Sequence, residues 1–596
     1  MKFQRKALAI AVMVATSTLS ACSSDDVKEI INDKITKIEL SSNSVDENSK
    51  GAEVGSISTD ILDSIKSFTY STDNENFVIS GNTLSLAAEY SFDYEKEQTV
   101  DVNITATDSS GTAVTKVLSI EVNDLLDYYG FMSKVGDVNN SSVSYGGQSA
   151  RHALIAELKH YIGKGGLQAD LANGDLTTEQ QVIDKLNSYY DATEESWDGF
   201  EITFTTAKQK LFKELSSSYK SLKSKVAGND SGGQHKLWNG EQNADGHYNG
   251  VNIAFAGWSE WETVAPLVPA EDVLPQKTPH GLVQQYFKQI ADIAIGTLGD
   301  KRYVPGAEQV VDNEIPVYVT DNGLDLNQLI QKFLLMSVAY SQATDDYLDE
   351  AKGLAADNIA QDKGTKDYTS LEHQFDEGFG YFGAARDYLS YSDDEIASKG
   401  GRDEWQGQHD TDGKDGIDLT SEFNFGNSVN AAKRDRKAVV STDYTKQAMD
   451  AFLNGRKLIN DNAGMALTEA QMTELEGYRD VAVDAWERGV VATVIHYIND
   501  LDADLAKVDT AEFDYATTAK HFSELKGFAL GLQFNPYSPI AGTDEAKFAK
   551  FLELHTLLKD APVLTGDVTG YREDLALASE LLRIAYNFNA ENVAAW

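Results

Sequence analysis

His373 precedes Asp376 and Glu377 by three and four residues. On a helix that spacing puts an imidazole and a carboxylate on one face, where both can reach one ion, so the chemistry on offer is coordination of iron or another divalent metal. Glu157 with His160, and His521 with Glu524, repeat the three-residue interval by which facing helices of a bundle hold iron, zinc or manganese. Ten histidines and 94 acidic residues also bring such pairs together for plain hydrogen bonding, at a surface or in a core. The sequence has no His-Glu-x-x-His, no Ser-His-Asp order, no glycine-rich phosphate loop and no dinucleotide fingerprint. Binding therefore reads ahead of catalysis.

A second chemistry lies in His409-Asp410-Thr411-Asp412-Gly413-Lys414-Asp415-Gly416-Ile417-Asp418-Leu419-Thr420-Ser421-Glu422. Calcium takes several oxygens on a flexible loop, and acids interleaved with tight-turning glycines supply them. Asp410, Asp412, Asp415 and Asp418 are candidate calcium ligands, with Glu422 as the closing carboxylate; a solvated acidic turn is the alternative. The string resembles an EF-hand or dockerin-type loop, shifted by one place at its Asp-Gly pair and at Glu422.

These groups need a scaffold, and the chain changes texture to provide one. From Ile35 to Asp124, runs such as Thr36-Lys37-Ile38-Glu39-Leu40, Thr99-Val100-Asp101-Val102-Asn103-Ile104 and Leu118-Ser119-Ile120-Glu121-Val122 alternate in polarity between turn residues. That pattern predicts short strands of an all-β sandwich over 35–124. From 128 to 596 apolar residues recur at three and four, which predicts helices over Gln148–Gly163, Thr205–Val226, Leu282–Leu298, Leu324–Leu354, Leu371–Leu389, Thr468–Leu505 and Ala516–Phe534. Thr468 with Gln471 forms a capping box at the start of one of the longest. The expected fold is thus an all-β sandwich followed by a large all-α helical-bundle domain. Long loops are expected over 227–250, 258–279 and 398–426; Trp238, Trp258, Trp261 and Trp405 lie in them, as buried anchors or as the lining of a groove.

The N-terminus sets an address. Lys2, Arg5 and Lys6 precede an apolar run from Ala7 to Thr16, and Leu19-Ser20-Ala21-Cys22 has the form of a lipoprotein cleavage and acylation site. The expectation is a signal peptide over 1–21, lipidation at Cys22, a flexible tether over 22–34, and residence in the cell envelope; Ser23 in place of an aspartate resembles sorted lipoproteins, which implies the outer membrane. Cys22 is the only cysteine, which excludes disulfides, thiolate zinc and iron–sulfur sites from the mature chain. A net charge of −43 repels nucleic acid and attracts cations.

Two resemblances sharpen these readings. Val45-Asp46-Glu47-Asn48, Phe92-Asp93-Tyr94-Glu95, Ala106-Thr107-Asp108 and Val122-Asn123-Asp124 follow the order of motifs in a cadherin-like repeat, which implies an immunoglobulin-like sandwich and a calcium site drawing on Glu47, Asp93, Glu95 and Asp124. The mid-repeat aspartate pair is missing, and there is no second tandem repeat. From 128 to 596 the chain resembles bacterial lipoproteins of a domain of unknown function, number 4856, distantly allied to imelysin-like proteins. The resemblance runs through Tyr145-Gly146-Gly147-Gln148, the stretch from Leu371 to Gly383, Ser421-Glu422-Phe423-Asn424-Phe425-Gly426, Lys433-Arg434-Asp435 and His521 to Pro536. Imelysins carry Gly-x-His-x-x-Glu on a bundle helix; here His373 matches the histidine, Asp376 replaces the glutamate and Leu371 the glycine. The resemblance implies a lipid-anchored binding protein for a metal ion or metal-bearing ligand, with calcium as a structural ion. Its alternatives are a calcium-dependent adhesion or scaffold lipoprotein meeting other envelope proteins, and a metallopeptidase.

Overall fold

Alternation of branched and polar residues builds the N-terminal unit. In the computed structural model, which describes residues 35–61, 67–94, 96–228, 255–261, 277–398, 408–411, 413, 416–541 and 544–596, the chain divides into a unit ending at Leu125 and a second unit from Leu126 to Trp596. Cys22 with the signal segment and tether, Glu95, Asp412, Asp415, Trp238 and Trp405 lie outside the described residues.

Strands β1 (Ile38–Leu40), β3 (Glu53–Thr59), β6 (Thr83–Leu86) and β5 (Phe77–Ser80) form one sheet in that order. Strands β2 (Ser44–Asp46), β8 (Ala113–Asn123), β7 (Thr99–Asp108) and β4 (Phe68–Thr72) form the other, with β2 parallel to β8 and the remaining pairs antiparallel. Along β7 every second residue, Val100, Val102, Ile104 and Ala106, is buried, as a period of two demands. They join Ile57, Leu84, Phe92 and Ile120 in one apolar core.

The second unit is largely helical. Helices α1 (Gly146–Gly163), α2 (Gly166–Asn173), α3 (Glu179–Tyr190), α4 (Glu194–Trp197) and α5 (Phe212–Leu215) come first. Then follow α6 (Pro279–Gly296), α7 (Leu326–Leu334), α8 (Ser370–Phe382), α9 (Asp393–Ile396) and α10 (Gly426–Asp435). The last part holds α11 (Tyr444–Asp461), α12 (Glu469–Leu505), α13 (Tyr515–Gly531), α14 (Glu545–Leu558), α15 (Val568–Ala585) and α16 (Ala590–Ala595). One small antiparallel pair, β9 (Arg302–Tyr303) with β10 (Glu314–Ile315), interrupts them where no strand is expected. No described helix is long and apolar enough to cross a membrane.

Three departures from expectation have local causes. The segment 205–226 is mostly irregular: serines crowd it at 216–218, where their hydroxyls compete for backbone groups, and its backbone bonds run outside any helix, Lys208 N donating to Ile417 O, Phe212 N to Phe200 O, and Lys210 O accepting from Ile202 N. Helix α8 stops at Gly383, whose φ of +79° caps the helix in the left-handed region and whose missing Cβ leaves room for Phe425 and His152. Helix α7 continues as wide π turns over Leu335–Tyr340 and Ala343–Tyr347 before ending. These turns bury Ser337, Thr344 and Asp346. Gly531 of α13 lies against them, where a Cβ would collide with Met336.

Polar groups are also enclosed in this core. Glu487 of α12 is fully buried and accepts from four neutral donors: Tyr340 Oη at 2.6 Å, Ser538 Oγ at 2.7 Å, Asn535 and Tyr586. Burial holds its carboxyl above the usual carboxylate range against those four bonds.

Candidate functional site

Helix α8 separates the predicted ligands onto two faces. Thr369 caps it, accepting from Glu372 N while its own N–H donates to the Glu372 carboxylate, so the first turn is fixed. Glu372 and Asp376, one turn apart, then point inward at Arg456 of α11, and all three side chains are fully buried. Arg456 Nη1 lies 2.8 Å from Glu372 Oε1, its Nε lies 2.7 Å from Asp376 Oδ1, and its Nη2 donates to Ser142 Oγ at 2.8 Å. Asp376 also accepts from Tyr129 Oη at 3.0 Å and Ser144 N at 2.9 Å, and Glu372 from Asn460 Nδ2 at 2.9 Å. Asp376 is therefore committed to a charge-assisted fold anchor and does not join His373 on an ion.

His373 and Glu377 lie on the other, half-buried face. His373 Nδ1 faces Ser144 O at 3.0 Å; a carbonyl only accepts, so Nδ1 carries a proton, and Nε2 lies 3.8 Å from Glu377 Oε1. Tyr368 stacks on the imidazole at 4.8 Å, and Gln148 Nε2 of α1 donates to Glu377 at 2.7 Å.

Around Glu377 the structure gathers cations that no local motif announces. Lys220 and Lys225 from the irregular segment and Lys352 after the π turns face Glu377 or Asp346, and Arg151 of α1 lies beside the first two, donating to Ser221 O and Gly147 O. Lys352 Nζ pairs with Asp346 at 2.5 Å, and Lys225 Nζ donates to Tyr347 Oη at 2.9 Å. Burial pushes the Lys225 ammonium down to about 8, with Arg151 and Lys352 acting the same way and Asp346 and Glu377 opposing. Burial also raises Asp346 to about 6, against Lys225 and Lys352. Four cationic groups thus surround two carboxylates, with Tyr347 and Tyr381 as aromatic walls 5.8 Å apart. Arg151, Lys220, Lys225 and Lys352 are spread over 202 positions of sequence, so only tertiary structure assembles them.

The remaining predicted residues have other employment. Glu422 is buried and its carboxylate accepts from Thr411 N and Asp418 N, each at 2.8 Å, while Asp410 accepts from Gly413 N at 2.6 Å. Glu422 thereby staples its own loop; Asp418 caps Thr420 N at 2.7 Å and lies 3.7 Å from Lys208. In the β unit Glu47 is buried and accepts from Tyr94 N and Leu125 N at 2.7 Å each, Asp93 pairs with Lys96 at 2.8 Å, and Asp124 follows the end of β8. Glu157 accepts from Thr203 and from Phe204 N at 2.8 Å, away from His160. Glu524 pairs with Lys332 at 2.9 Å, whereas His521 turns Nδ1 to Asp504 at 2.7 Å and Nε2 toward Asp500 at 3.8 Å. Among the described residues no three His, Cys, Asp or Glu side chains form a group able to hold a metal ion.

An open cleft of about 660 Å³ lies elsewhere, lined by Trp258, Ser259, His555, Lys559 and Asp560. Beneath it fully buried Lys526 pairs with Asp560 at 2.8 Å and meets His555 Nδ1 at 3.1 Å. Trp258 is a buried anchor that also lines this cleft, answering both expectations for that residue.

Residues 283–454 match the model of a protein family described as Domain of unknown function (DUF4856). The match takes in the π turns, Lys352, His373, Glu377 and α10, and ends just short of Arg456. No curated protein matches the chain at a significant level.

Proposed function

We propose that this chain is a lipid-anchored cell-envelope binding protein whose helical unit takes an anionic, metal-bearing ligand at the cluster beside α8. The observation that carries the reading is charge: Arg151, Lys220, Lys225 and Lys352 are collected round Asp346 and Glu377 in a chain of net charge −43. A bare cation entering there meets four like charges, whereas a metal already wrapped in carboxylates brings the opposite sign. The His373 imidazole adds a ring nitrogen beside Glu377, and Tyr347 and Tyr381 add flat apolar faces. Acylation at Cys22 holds the protein on the outer membrane, the cadherin-like β unit serves as a spacer, and the imelysin-like helical unit does the binding.

Calorimetry with ferric citrate, citrate alone and ferrous iron tests the site. Ferric citrate is expected to bind, Lys225→Met to weaken it roughly tenfold or more as one charged contact is lost, and ferrous iron alone to give no heat. Unchanged binding by Lys225→Met, or tight binding of the free ion, overturns the reading. Cys22→Ser is expected to move the protein from the membrane to the soluble fraction.

A further inference from the structure

The open cleft of about 660 Å³ beside α14 has a closed floor. There the fully buried Lys526 ammonium spends its three N–H bonds on Asp560 at 2.8 Å, His555 Nδ1 at 3.1 Å and Lys559 O at 2.7 Å. Asp560 in turn accepts from Ser259 N at 2.7 Å and Glu260 N at 3.1 Å, which ties the loop 257–260 to the end of α14. Lys559 leaves α14 at φ +60° and ψ −174°, a backbone setting that suits glycine and strains any residue with a Cβ. Such strain persists where other contacts hold it, here the Lys526 bond to its carbonyl, and it gathers at ligand sites.

The groups that line the cleft above this floor are specific in kind. Thr556 Oγ1 donates to Leu552 O at 2.9 Å and Ser259 Oγ donates to Asp560, so each hydroxyl has used its only proton and keeps lone pairs. Glu260 adds an exposed carboxylate, also an acceptor, while Asn322 Oδ1 accepts from Thr320 Oγ1 and leaves its amide N–H bonds as donors. The other charges cancel: Lys526 with Asp560, and Lys559 with Asp574 at 2.7 Å. His555 is held neutral by burial and by Lys526, its pKa well below the ordinary imidazole value. Leu552, 44% exposed, and Trp258 supply apolar surface.

We infer that this cleft is a binding site for a small neutral saccharide. A sugar hydroxyl both donates and accepts, which suits acceptors at Ser259, Thr556 and Glu260 beside the Asn322 donors, and the C–H face of the ring suits Leu552 and Trp258. An anion would meet Glu260 on a chain of net charge −43, and a purely apolar ligand would bury these polar groups without partners. The site shares no residue with the Lys225 cluster, being built from α14, the loop 257–260 and the turn at Asn322.

Saturation-transfer difference NMR of the full chain with glucose, galactose, mannose, N-acetylglucosamine, maltose and cellobiose, and with glucosamine as the charged comparison, tests it. At least one neutral sugar is expected to take up saturation, most strongly at its ring C–H protons. Thr556→Trp, which fills the cleft from an exposed position, and Leu552→Asp, which strips its apolar wall, should abolish or sharply reduce that signal with Tm little changed. Leu577→Asp, at an exposed leucine of α15 outside the cleft, should leave it unaltered. If an α14 variant fails to fold, Asn322→Leu on its exposed turn decides, since loss of the amide must weaken binding. No transfer to any neutral sugar, a response confined to glucosamine, or signals indifferent to the cleft variants overturn the inference. Lys225→Met should leave the sugar signal intact, so loss of ferric citrate binding alone would refute only the Lys225 reading.

Discussion

Arg456 and Arg434 are both buried arginines on helices of the same unit, and they differ in everything that surrounds the guanidinium. Arg456 has a partner for Nε, Nη1 and Nη2, two carboxylates against one cation, and Phe131 under its plane at 5.0 Å. Arg434 has no hydrogen-bond partner for Nε and Nη1 among the described residues and feels the Asp500 carboxylate only through space. A closed charge network is a feature of the fold, because every member is already satisfied; a guanidinium without such partners adds little to it. The same contrast separates Asp376, enclosed by the Arg456 network, from Glu377, one residue on, which faces the half-open cationic cluster.

The largest expected effect breaks the closed network. Arg456→Met leaves Glu372 and Asp376 buried without their cation and should cost about 3–5 kcal/mol in urea unfolding. Adding Glu372→Gln and Asp376→Asn to it should restore part of that loss, and no recovery would mean that the network matters through shape instead of charge. Next, Glu487→Gln removes one acceptor oxygen from four donors and should cost about 1–3 kcal/mol by the same assay.

A smaller effect sharpens the open side. Lys225 has its folded pKa lowered to about 8 from 10.5, so between those values the unfolded chain binds more protons and stability should rise with pH. Binding of an anionic ligand at the cluster should fall over the same window as the ammonium is lost. Asp346, raised to about 6 from 3.8, runs opposite in sign to its usual role: stability should decline as pH climbs from 3.8 to 6. Urea midpoints taken across both windows check the two slopes, and Lys225→Met should flatten the upper one. The smallest expected effect is the most direct comparison: Arg434→Met should change stability by under about 1 kcal/mol or raise it, since an apolar chain replaces a buried charge without such partners.

How much was legible in the sequence follows the range of the interactions. Alternation along Val100, Val102 and Ile104 and the box of Thr468 with Gln471 are short-range signals, and both elements form where they point. Spacing also brought His373 and Glu377 together correctly on one face. It could not show that Asp376, equally well spaced, would meet Arg456 from 80 residues away. The same limit applies to His521, whose i+3 neighbour Glu524 goes to Lys332 while Asp500 and Asp504 arrive from α12. In the acidic loop the order of carboxylates was visible but not their use: Glu422 spends its oxygens on the amides of Thr411 and Asp418. The cations around Glu377 come from three separated stretches, and periodicity carries no information about which solvent-facing lysine will be buried by a distant element.

The π turns that follow α7 have a mechanical consequence. Each holds surplus backbone relative to an α-helix, so removing one residue between Leu335 and Tyr340 could be absorbed by rewinding instead of by breaking the rod. Everything beyond the cut would then keep its facing, whereas the same deletion in a regular α-helix turns the remainder by about 100° about the axis. Tyr347 would stay opposite Lys225 and the α7 face toward α13 would stay in register, so the slack in the coil buffers a one-codon deletion.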